Sequence, residues 1–595
     1  MGHRTALTAL EEAASQFGKL AALCQPAGEG KHRVYSWIEY RDIAREIAAG
    51  LRSLGIGKGD IVALDSETRA EFYLADLGIL ANGSIAAAMY GSYPAAILVH
   101  TLRSCGAKAV FVEDPDTLRV LQAAGDPPLA VDWILLTGTA ESALSLEDLR
   151  ERGRRSIESD PGLPARIASE LHPSDPAILY LTSGATGEPK MALASHAALL
   201  ANMEMGPAVL GLTPEDSTIA FLPSAHIAQR VVVELLPICC GMPVWFVESL
   251  AKLPPALRSV RPTIFLAPPR FWERVYTSVC TEIQKRSPVV RKLFYGALGL
   301  GIDVHRRERE GKSVPRWIRN TLKLADRLVF RKLRARFGDR LRLPVSGAAP
   351  LGKELAEFFE VIGMPIVEGY GLTEGGILTL NPLDRPRPGS IGKPLPGVEI
   401  RLAPDGELLV RAPCLFTGYF NDPKATSEVL RDGWLYTGDT AEIDAAGFIY
   451  ITGRKKEVII SSNGKKIYPV RIEGLFKLEP IINHVVPLGD GETFVAALLT
   501  VNAGVAETLK GAEHLRGRPM SEIAAAPPVV AEVKRALARV NAQLAPFEQI
   551  RRYRILDREL TIQDGELTAT LKIRRSRVLS NYRAAIEELY SGREN

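Results

Sequence analysis

Short apolar runs rich in β-branched residues alternate with helix-like segments through the first three quarters of the chain. Four of these runs are AILYLT (177–182), PTIFLA (262–267), RLRLPVS (340–346) and MPIVEGYG (364–371). Each ends in a loop rich in Gly, Pro, Ser or Thr, and most are followed by a helix-like segment. This alternation predicts an α/β fold with mostly parallel sheets flanked by helices, whose ligands gather at the carboxyl ends of strands. We therefore expect the loops after these four runs, which begin at Thr182, Ala267, Ser346 and Tyr370, to converge on one cleft.

The pattern changes toward the C-terminus. Residues 390–453 hold shorter strand-like runs separated by turn pairs at 405–406, 432–433 and 446–447, which predicts a small β-rich subdomain. Beyond residue 457 the chain restarts as a smaller α+β unit with its own apolar runs. We place the boundary at 454–457, which gives predicted domains at 1–455 and 456–595.

Composition narrows the class of protein. The 595 residues are 46% apolar and 24% charged, which is ordinary for a soluble globular protein. The net charge of +4 gives no reason to expect a nucleic acid partner. Six cysteines without a CxxC pair favour a reducing compartment over a disulfide or zinc framework. No signal peptide is visible, and the most apolar stretch (231–247) is broken by Glu234, Pro237 and Gly241, so we expect a cytoplasmic protein.

One segment has a charge of its own. Residues 281–342 contain 18 Lys/Arg and 6 Asp/Glu, a balance of +12, so the rest of the chain sums to −8. Within it, 316–336 places Trp317, Leu322 or Leu324, Leu328 and Phe330 among basic residues. This pattern is typical of a helix that contacts an anionic membrane or a phosphorylated ligand. A solvated helix packed on the body of the protein would show the same pattern, and the sequence favours it slightly.

The stretch LTSGATGEPK (181–190) has the composition of a phosphate-binding loop. Gly184 and Gly187 allow close approach of the backbone, Ser183 and Thr186 carry hydroxyls, and Lys190 carries charge. The spacing is not that of the nucleoside-triphosphatase loop, which needs a Gly-Lys-Ser/Thr ending. Taken alone, such a stretch is more often a surface turn.

Three further segments carry side chains suited to nucleotide chemistry. VEGYGLTEGG (367–376) presents Tyr370, whose ring can stack on a purine, and Glu374, whose carboxylate can hold Mg²⁺. DGWLYTGDTAEID (432–444) places Asp439 in a turn where it can accept hydrogen bonds from a ribose diol, and Arg454 follows at the domain boundary. GELTATLKIRR (565–575) carries Lys572 in a basic, loop-flanked context.

In order and spacing, these four segments resemble the adenylate-forming superfamily of acyl-CoA synthetases, nonribosomal peptide adenylation domains and firefly-type luciferases. The resemblance runs from about Tyr35 to about Arg577. FLPSAHIAQR (221–230), RPTIFLAPPRFWERVY (261–276) and LTATLKIRR (567–575) look most like the AMP-forming long-chain fatty acyl-CoA synthetases. The basic segment 281–342 also resembles an insertion typical of that branch.

The resemblance implies a two-step reaction at one site, with ATP, Mg²⁺ and coenzyme A. A carboxylate attacks the α-phosphate of ATP to give acyl-AMP and pyrophosphate, and a thiol then displaces AMP. It implies that the β- and γ-phosphates are held by Thr182, Ser183, Gly184, Thr186, Gly187 and Lys190. It implies that adenine and the α-phosphate are bound by Ala348, Ala349, Pro350, Glu368, Gly369, Tyr370, Gly371 and Thr373.

The remaining roles follow from the same resemblance. Asp439 and Arg454 would fix the ribose hydroxyls, and Glu374 would bind Mg²⁺. Lys572 would bridge the substrate carboxylate and the α-phosphate. A lone His is more often structural, yet the resemblance assigns His226 to positioning the carboxylate rather than to proton transfer.

The resemblance also implies that the small domain rotates. A hinge at Lys456 would bring Lys572 to the site for the first step and the loop around Gly464 to the pantetheine path for the second. A charged surface turn at 455–457 would have the same sequence, because a hinge needs backbone freedom rather than a particular side chain.

Three residues depart from the pattern of the family, and none removes a group that the chemistry requires. Met191 replaces a glycine, Gln229 a glutamate and Ala569 a proline. Two other functions stay open: a fatty acyl-AMP ligase that loads a carrier-protein pantetheine, and a non-catalytic acyl- or nucleotide-binding protein. Retention of Lys572 argues against the second, since a binder does not need it. We expect a homodimer if the chain assembles.

Overall fold

The computed structural model describes residues 4–183, 189–568 and 570–591. Its largest sheet has eight strands, and five of its seven pairings are parallel. In spatial order they are Gly418–Tyr419, Pro189–Ser195, Pro176–Ser183, Ile85–Ala88, Ile61–Asp65, Ala109–Val112, Asp132–Leu135 and Leu144–Ser145. The prediction of mostly parallel sheets flanked by helices is confirmed, and the main hydrophobic core lies on this sheet.

Two further sheets complete the α/β part. One has the order Ile264–Ala267, Leu343–Ser346, Val367–Leu372, Gly376–Leu380 and Lys393–Pro394. The other has the order Thr218–Ala220, Val244–Phe246, Ala21–Pro26 and His32–Ser36. All four apolar runs singled out in the sequence form strands of these sheets.

One expectation about these strands is wrong in part. Pro176–Ser183 and Val367–Leu372 are followed by antiparallel strands, Pro189–Ser195 and Gly376–Leu380, rather than by helices. Each candidate nucleotide loop therefore lies between two antiparallel strands. Met191 lies in one of these strands, opposite Leu181, and packs against the main core, so this departure from the family pattern lies in a strand.

Helices cover both faces of the sheets. The longer ones before residue 240 are Ala6–Phe17, Trp37–Ser53, Ala70–Asn82, Ala95–Cys105, Pro115–Ala124, Leu146–Ser159, Leu163–Ser169 and His196–Leu210. Those between 250 and 361 are Leu253–Val260, Pro269–Gln284, Pro288–Arg309, Arg316–Ala325, Arg331–Arg334 and Lys353–Val361. The apolar stretch 231–247 is a π-helix, Arg230–Leu235, followed by the helix Leu236–Cys240 and a buried strand. Within the described ranges, no helix is long and apolar enough to cross a membrane.

The β-rich stretch forms an antiparallel sheet. Its strands are Glu399–Leu402, Glu407–Arg411, Leu430–Arg431, Trp434–Ile443 and Ile449–Arg454, and the three predicted turn pairs connect or flank them. At 432–433 both residues have positive φ, as a two-residue hairpin turn requires.

The residues after 456 build their own sheets and cores. A two-stranded sheet joins Ile459–Ile460 to Lys466–Ile467, and a three-stranded sheet has the order Ile482–Leu488, Val495–Val501 and Ile550–Ile555. The main helices here are Pro469–Phe476, Met520–Ala525, Pro527–Asn541, Arg575–Asn581 and Arg583–Tyr590. Two of the hydrophobic clusters contain only residues beyond 456.

Candidate active site

A large cleft lies between the two parts of the chain. Its volume is about 3940 Å³, and its wall includes Thr182, Ala267, Gly347 and Tyr370. The four loops that follow the apolar runs therefore converge, as the strand pattern predicts. The cleft also receives residues from both sides of the 454–457 segment.

Most predicted site residues line this cleft. They are Thr182, Lys190, His226, Ala348, Ala349, Pro350, Glu368, Gly369, Tyr370, Gly371, Thr373, Glu374, Asp439, Arg454 and Lys572. Gly184, Thr186 and Gly187 lie outside the described residues, and so does Ala569; the side chain of Ser183 is not described either. Gly464 is not among the residues of the cleft wall.

Asp439 is the best-defined polar group of the site. It is buried in the strand Trp434–Ile443, directly opposite Arg454 in the neighbouring strand. The Tyr370 hydroxyl donates to Oδ2 at 2.6 Å, and the Arg454 Nε contacts Oδ1 at 2.8 Å. Each oxygen keeps further acceptor capacity. Burial raises the pKa of this carboxyl, and the positive charge of Arg454 opposes that rise.

Glu374 has a partner that sequence reasoning missed. The hydroxyl of Tyr419 donates to Glu374 Oε1 at 2.6 Å, and the Lys190 Nζ lies 4.8 Å from the centre of the same ring. Tyr419 is placed there because Gly418–Tyr419 pairs with the strand that carries Lys190. The single Tyr in GYF (418–420) has no spacing signal that could have identified it.

The backbone of Lys572 is held by local hydrogen bonds to Thr568. Its N–H donates to Thr568 Oγ1 at 3.1 Å, its carbonyl accepts from Thr568 N at 2.8 Å, and Leu571 has φ of 60°. The side chain is open to the cleft, but the surrounding protein lowers its pKa to about 8, chiefly by desolvation and then by the charge of Arg454. Asp439 and Glu374 act in the opposite direction.

His226 lies where the cleft meets a small apolar cavity. Its Nδ1 accepts from Ala228 N at 3.2 Å, so the proton of the neutral ring is on Nε2, which can donate to a carboxylate. Desolvation, and then the charge of Lys572, lower its pKa to about 3. The ring is therefore neutral at ordinary pH, which fits a positioning role and not a general acid.

The apolar cavity extends from His226 and Ala348 to Leu210, Leu236 and Met242. Its volume is about 70 Å³, roughly half that of an engineered apolar cavity of about 150 Å³ that binds benzene. An acyl chain of more than a few methylene groups therefore enters only if the wall moves, and the unbranched Met242 side chain is adaptable.

The backbone is tightly constrained at two of the residues predicted to bind adenine, Ala348 and Gly371. Ala348 has φ of 71°, a left-handed conformation that costs energy for a residue other than glycine. A Cβ on Gly371 would lie 2.2 Å from the carbonyl oxygen of Gly376. The glycine at 371 is thus required by hairpin packing, whatever its role toward nucleotide.

Glu368 is buried and accepts a hydrogen bond from Gly389 N at 3.1 Å. Burial raises its pKa to about 7.

Two basic residues make contacts across the junction. Lys477, from beyond the domain boundary, donates to the carbonyl of Pro350 and contacts Glu273 at 3.3 Å. Arg270 reaches back to the Asn483 carbonyl at 2.7 Å. These contacts hold the C-terminal part in the orientation that presents Lys572.

A buried charged cluster lies behind the apolar cavity, and the sequence did not predict it. Arg230 and Glu234 lie on the π-helix and face Asp76 of Ala70–Asn82; Arg230 Nε contacts Asp76 at 3.1 Å. No described donor reaches either oxygen of Glu234, and burial raises its pKa well above the usual value. A proton on Glu234 can be shared with Asp76, which leaves the cluster neutral. Gln229, the second departure from the family pattern, donates to the Tyr73 hydroxyl at 3.1 Å.

Among the described residues, no group of three or more His, Cys, Asp or Glu side chains could hold a metal by itself. Mg²⁺ commonly uses one or two carboxylates together with substrate phosphates. The donor set here, one Glu374 carboxylate open to the cleft, fits that mode.

A large N-terminal part and a small C-terminal part with a cleft between them form the architecture of adenylate-forming enzymes. The chain belongs to the AMP-binding enzyme family: the family model matches residues 10–420, and that of the AMP-binding enzyme C-terminal domain matches 456–594. It is 34% identical over 554 residues to the long-chain-fatty-acid–CoA ligase FadD15 of Mycobacterium bovis, covering 92% of this chain and 90% of that one. It is 30% identical over 644 residues to the long-chain-fatty-acid–CoA ligase ACSBG2 of Rattus norvegicus, covering 99% and 94%.

Solved structures support the same fold. The anthranilate CoA ligase AuaEII in complex with anthranoyl-AMP aligns with a TM-score of 0.74 at 20% identity, covering 98% of both chains. The adenylation domain of a carboxylate reductase from Mycobacterium chelonae aligns with a TM-score of 0.75 at 19% identity, covering 99% of this chain and 92% of that one.

Proposed function

We propose that the protein is a long-chain-fatty-acid–CoA ligase that activates its substrate through an acyl-AMP intermediate. The observation that carries this proposal is the junction at His226, where an apolar cavity opens onto a cleft containing Lys572, Asp439 and Arg454. A fatty acid has the matching chemistry, with an apolar chain and one carboxylate. The names of the relatives supply the same substrate class.

In the first step a carboxylate oxygen attacks the α-phosphorus of ATP and the bond to pyrophosphate breaks. The Nε2–H of His226 orients the carboxylate, and the Lys572 ammonium offsets the negative charge that collects between carboxylate and phosphate. Lys190 and Thr182 hold the leaving phosphates, together with predicted partners outside the described residues. Mg²⁺, when bound at Glu374, neutralises phosphate charge.

The adenosine end is fixed by the other groups of the cleft. Asp439 and Arg454 bind the ribose hydroxyls, and Tyr370, Glu368 and the 348–350 turn border the adenine.

In the second step the thiol of coenzyme A attacks the acyl carbonyl and AMP leaves. Rotation about Lys456, with Gly464 then facing the thiol, is part of the proposal, as are the domain limits 1–455 and 456–595.

The test separates the two half-reactions. Lys572→Ala should abolish pyrophosphate exchange dependent on a fatty acid, yet leave thioester formation from preformed acyl-AMP largely intact. Equal loss of both would contradict the role of Lys572. Transfer to a carrier-protein pantetheine but not to coenzyme A would favour the acyl-AMP ligase, and binding without exchange would favour the non-catalytic alternative.

A ladder of fatty acids, with aryl and bile acids beside it, defines the preferred chain, because the cavity as observed must widen to admit a long one. A cytoplasmic location with a peripheral membrane contact, and a homodimer if the chain assembles, stay predictions.

A further inference from the structure

Glu566 carries a fully buried carboxylate six residues before Lys572. Arg558 donates to both of its oxygens, from Nη1 to Oε2 at 2.8 Å and from Nη2 to Oε1 at 2.6 Å. The Thr561 N–H donates to Oε2 at 3.2 Å, and Asn581 Nδ2 donates to Oε1 at 2.9 Å. An ionised carboxylate has about four acceptor positions, so these donors occupy its whole capacity.

The bonds keep this carboxylate charged although it is buried. Burial acts to raise the pKa of Glu566, but the hydrogen bonds from Arg558, Asn581 and Thr561 outweigh that effect and lower it. Glu566 is not among the residues of the cleft wall, whereas its neighbour Leu567 is. With its acceptor positions filled and no access to the cleft, the carboxylate can act on the reaction only through the residues that it holds.

Those residues lie on both sides of the segment that carries Lys572. Arg558 precedes the segment, and Asn581 is the last residue of the helix that follows it, Arg575–Asn581. The backbone closes the same base, because the Glu566 carbonyl accepts from Arg574 N at 2.7 Å and Leu567 pairs with Ile573 in an antiparallel bridge. The carboxylate therefore joins the incoming and outgoing chains at the base of the Lys572 loop.

The groups that act on the Lys572 amine lie outside this loop. Arg454, Asp439 and Glu374 act on its pKa, and the charge of Lys572 in turn lowers the pKa of His226. None of these four belongs to the Glu566 network. The base of the loop thus determines how far the amine reaches toward the groups of the opposite wall.

We propose that Glu566 is a positioning residue for Lys572, because its carboxylate fixes the base of the loop from which the amine reaches the reacting carboxylate and phosphate. The proposal rests on the proposed function, since Lys572 must act in acyl-AMP formation. A preorganised group needs supporting bonds of this kind, because a small displacement costs much of its effect. A purely stabilising carboxylate would instead affect both half-reactions alike.

The experiment compares Glu566→Ala with the wild type in the full chain. Pyrophosphate exchange dependent on a fatty acid should slow about 100-fold, the cost of a misplacement of about 1 Å, while thioester formation from preformed acyl-AMP should be unchanged. A second measurement does not need activity: the pH dependence of reductive methylation of Lys572, read by peptide mass spectrometry. The pKa of the amine should move from about 8 back toward 10.5 as desolvation is lost.

The matched control is Glu548→Ala. Glu548 is also a buried carboxylate of the C-terminal part and accepts from Arg471 at 3.3 Å and from Ala545 N at 3.2 Å, but it is not part of the cleft wall. Its loss should lower stability and leave both the ratio of the half-reactions and the labelling of Lys572 as in the wild type.

Asn581→Ala is the milder variant, because Asn581 is exposed and supplies one bond to Glu566. It should slow exchange about three- to tenfold, since one partly exposed bond is lost, with a shift of the Lys572 pKa in the same direction. An unchanged Lys572 pKa in both variants, or equal effects in Glu566→Ala and Glu548→Ala, would overturn the proposal. Absence of exchange in the wild type would instead overturn the proposed function, and the labelling would still decide the role of Glu566.

Discussion

Tyr419 connects Glu374 with Lys190, two residues separated by 184 positions in the chain. Its hydroxyl fixes one oxygen of the carboxylate proposed to hold Mg²⁺, and its ring faces the lysine proposed to hold phosphate. One side chain thus contacts both charged groups.

Tyr419→Phe should slow acyl-AMP formation about tenfold, because a hydrogen bond to a charged group is lost while the ring stays beside Lys190. Pyrophosphate exchange measures this step. Tyr450→Phe is the control, because that hydroxyl approaches only Asp444, at 3.4 Å. Thioester formation from preformed acyl-AMP should not change; an equal loss there would show that Tyr419 acts on general stability.

The pH dependence of the first step should report Lys572. Its pKa is lowered from 10.5 to about 8, so the cation that binds the carboxylate and phosphate is lost as pH rises through about 8. We expect kcat/KM for adenylation, which reports the free enzyme, to fall about tenfold per pH unit above that value. Lys572→Arg keeps its charge and should lose this fall, even if its rate is lower. A flat wild-type profile from pH 7 to about 9.5 would contradict the assignment.

At the scale of elements, the π-helix Arg230–Leu235 links the apolar cavity to the buried charges. Val231 and Val232 line the cavity, while Arg230 and Glu234 pair with Asp76 on the other side. π-Helical turns often occur at functional sites, and here the turn lets one segment serve both an apolar and a charged surface.

Glu234→Gln should stabilise the protein increasingly as pH rises. The raised pKa of Glu234 means that the folded state keeps a proton that the unfolded state releases above about pH 4.5, so the wild type loses about 1.4 kcal/mol of unfolding free energy per pH unit in that range. The neutral amide removes this loss. Denaturant unfolding at several pH values measures it, and the exposed Glu442→Gln is the control. A variant whose stability relative to wild type does not change with pH would contradict a protonated Glu234.

In the whole molecule, the orientation of the C-terminal part determines whether Lys572 faces the cleft. Among the described residues, the polar contacts across the junction are those of Lys477 with Pro350 and Glu273, and of Arg270 with Asn483. Small, polar interfaces permit domain motion, and a rotation would have to break these bonds.

Lys477→Ala should therefore weaken the orientation that presents Lys572. We expect acyl-AMP formation to slow about three- to tenfold, since one or two partly exposed bonds are lost, while thioester formation from preformed acyl-AMP is unchanged or faster. Stopped-flow measurement of each half-reaction decides this. Lys534→Ala, an exposed lysine on Pro527–Asn541, is the control. Slowing of both half-reactions would show that Lys477 does not govern the orientation.

Local sequence patterns predicted the main strands, the convergence of their loops and the basic segment. β-Branched runs ending in Gly- and Ser-rich loops identified the strands that form the α/β sheets, because strand propensity and burial are written in consecutive residues. The convergence of their loops followed from the geometry of parallel strands. The basic segment was recognised by charge alone, yet which of Leu322 and Leu324 faces outward depended on helix packing: Leu322 packs inward and Leu324 is exposed.

The fold class and fifteen of the residues that line the cleft follow from sequence patterns and from the resemblance they carry. Tertiary packing places Tyr419 beside Glu374 and Lys190, Glu234 beside Asp76, and His226 at the mouth of an apolar cavity. Two strands that were expected to lead into helices are instead followed by antiparallel strands. The physical reason is that strand pairing brings together residues far apart in the chain, and burial then changes their pKa values. Neither effect produces a periodic pattern in the sequence.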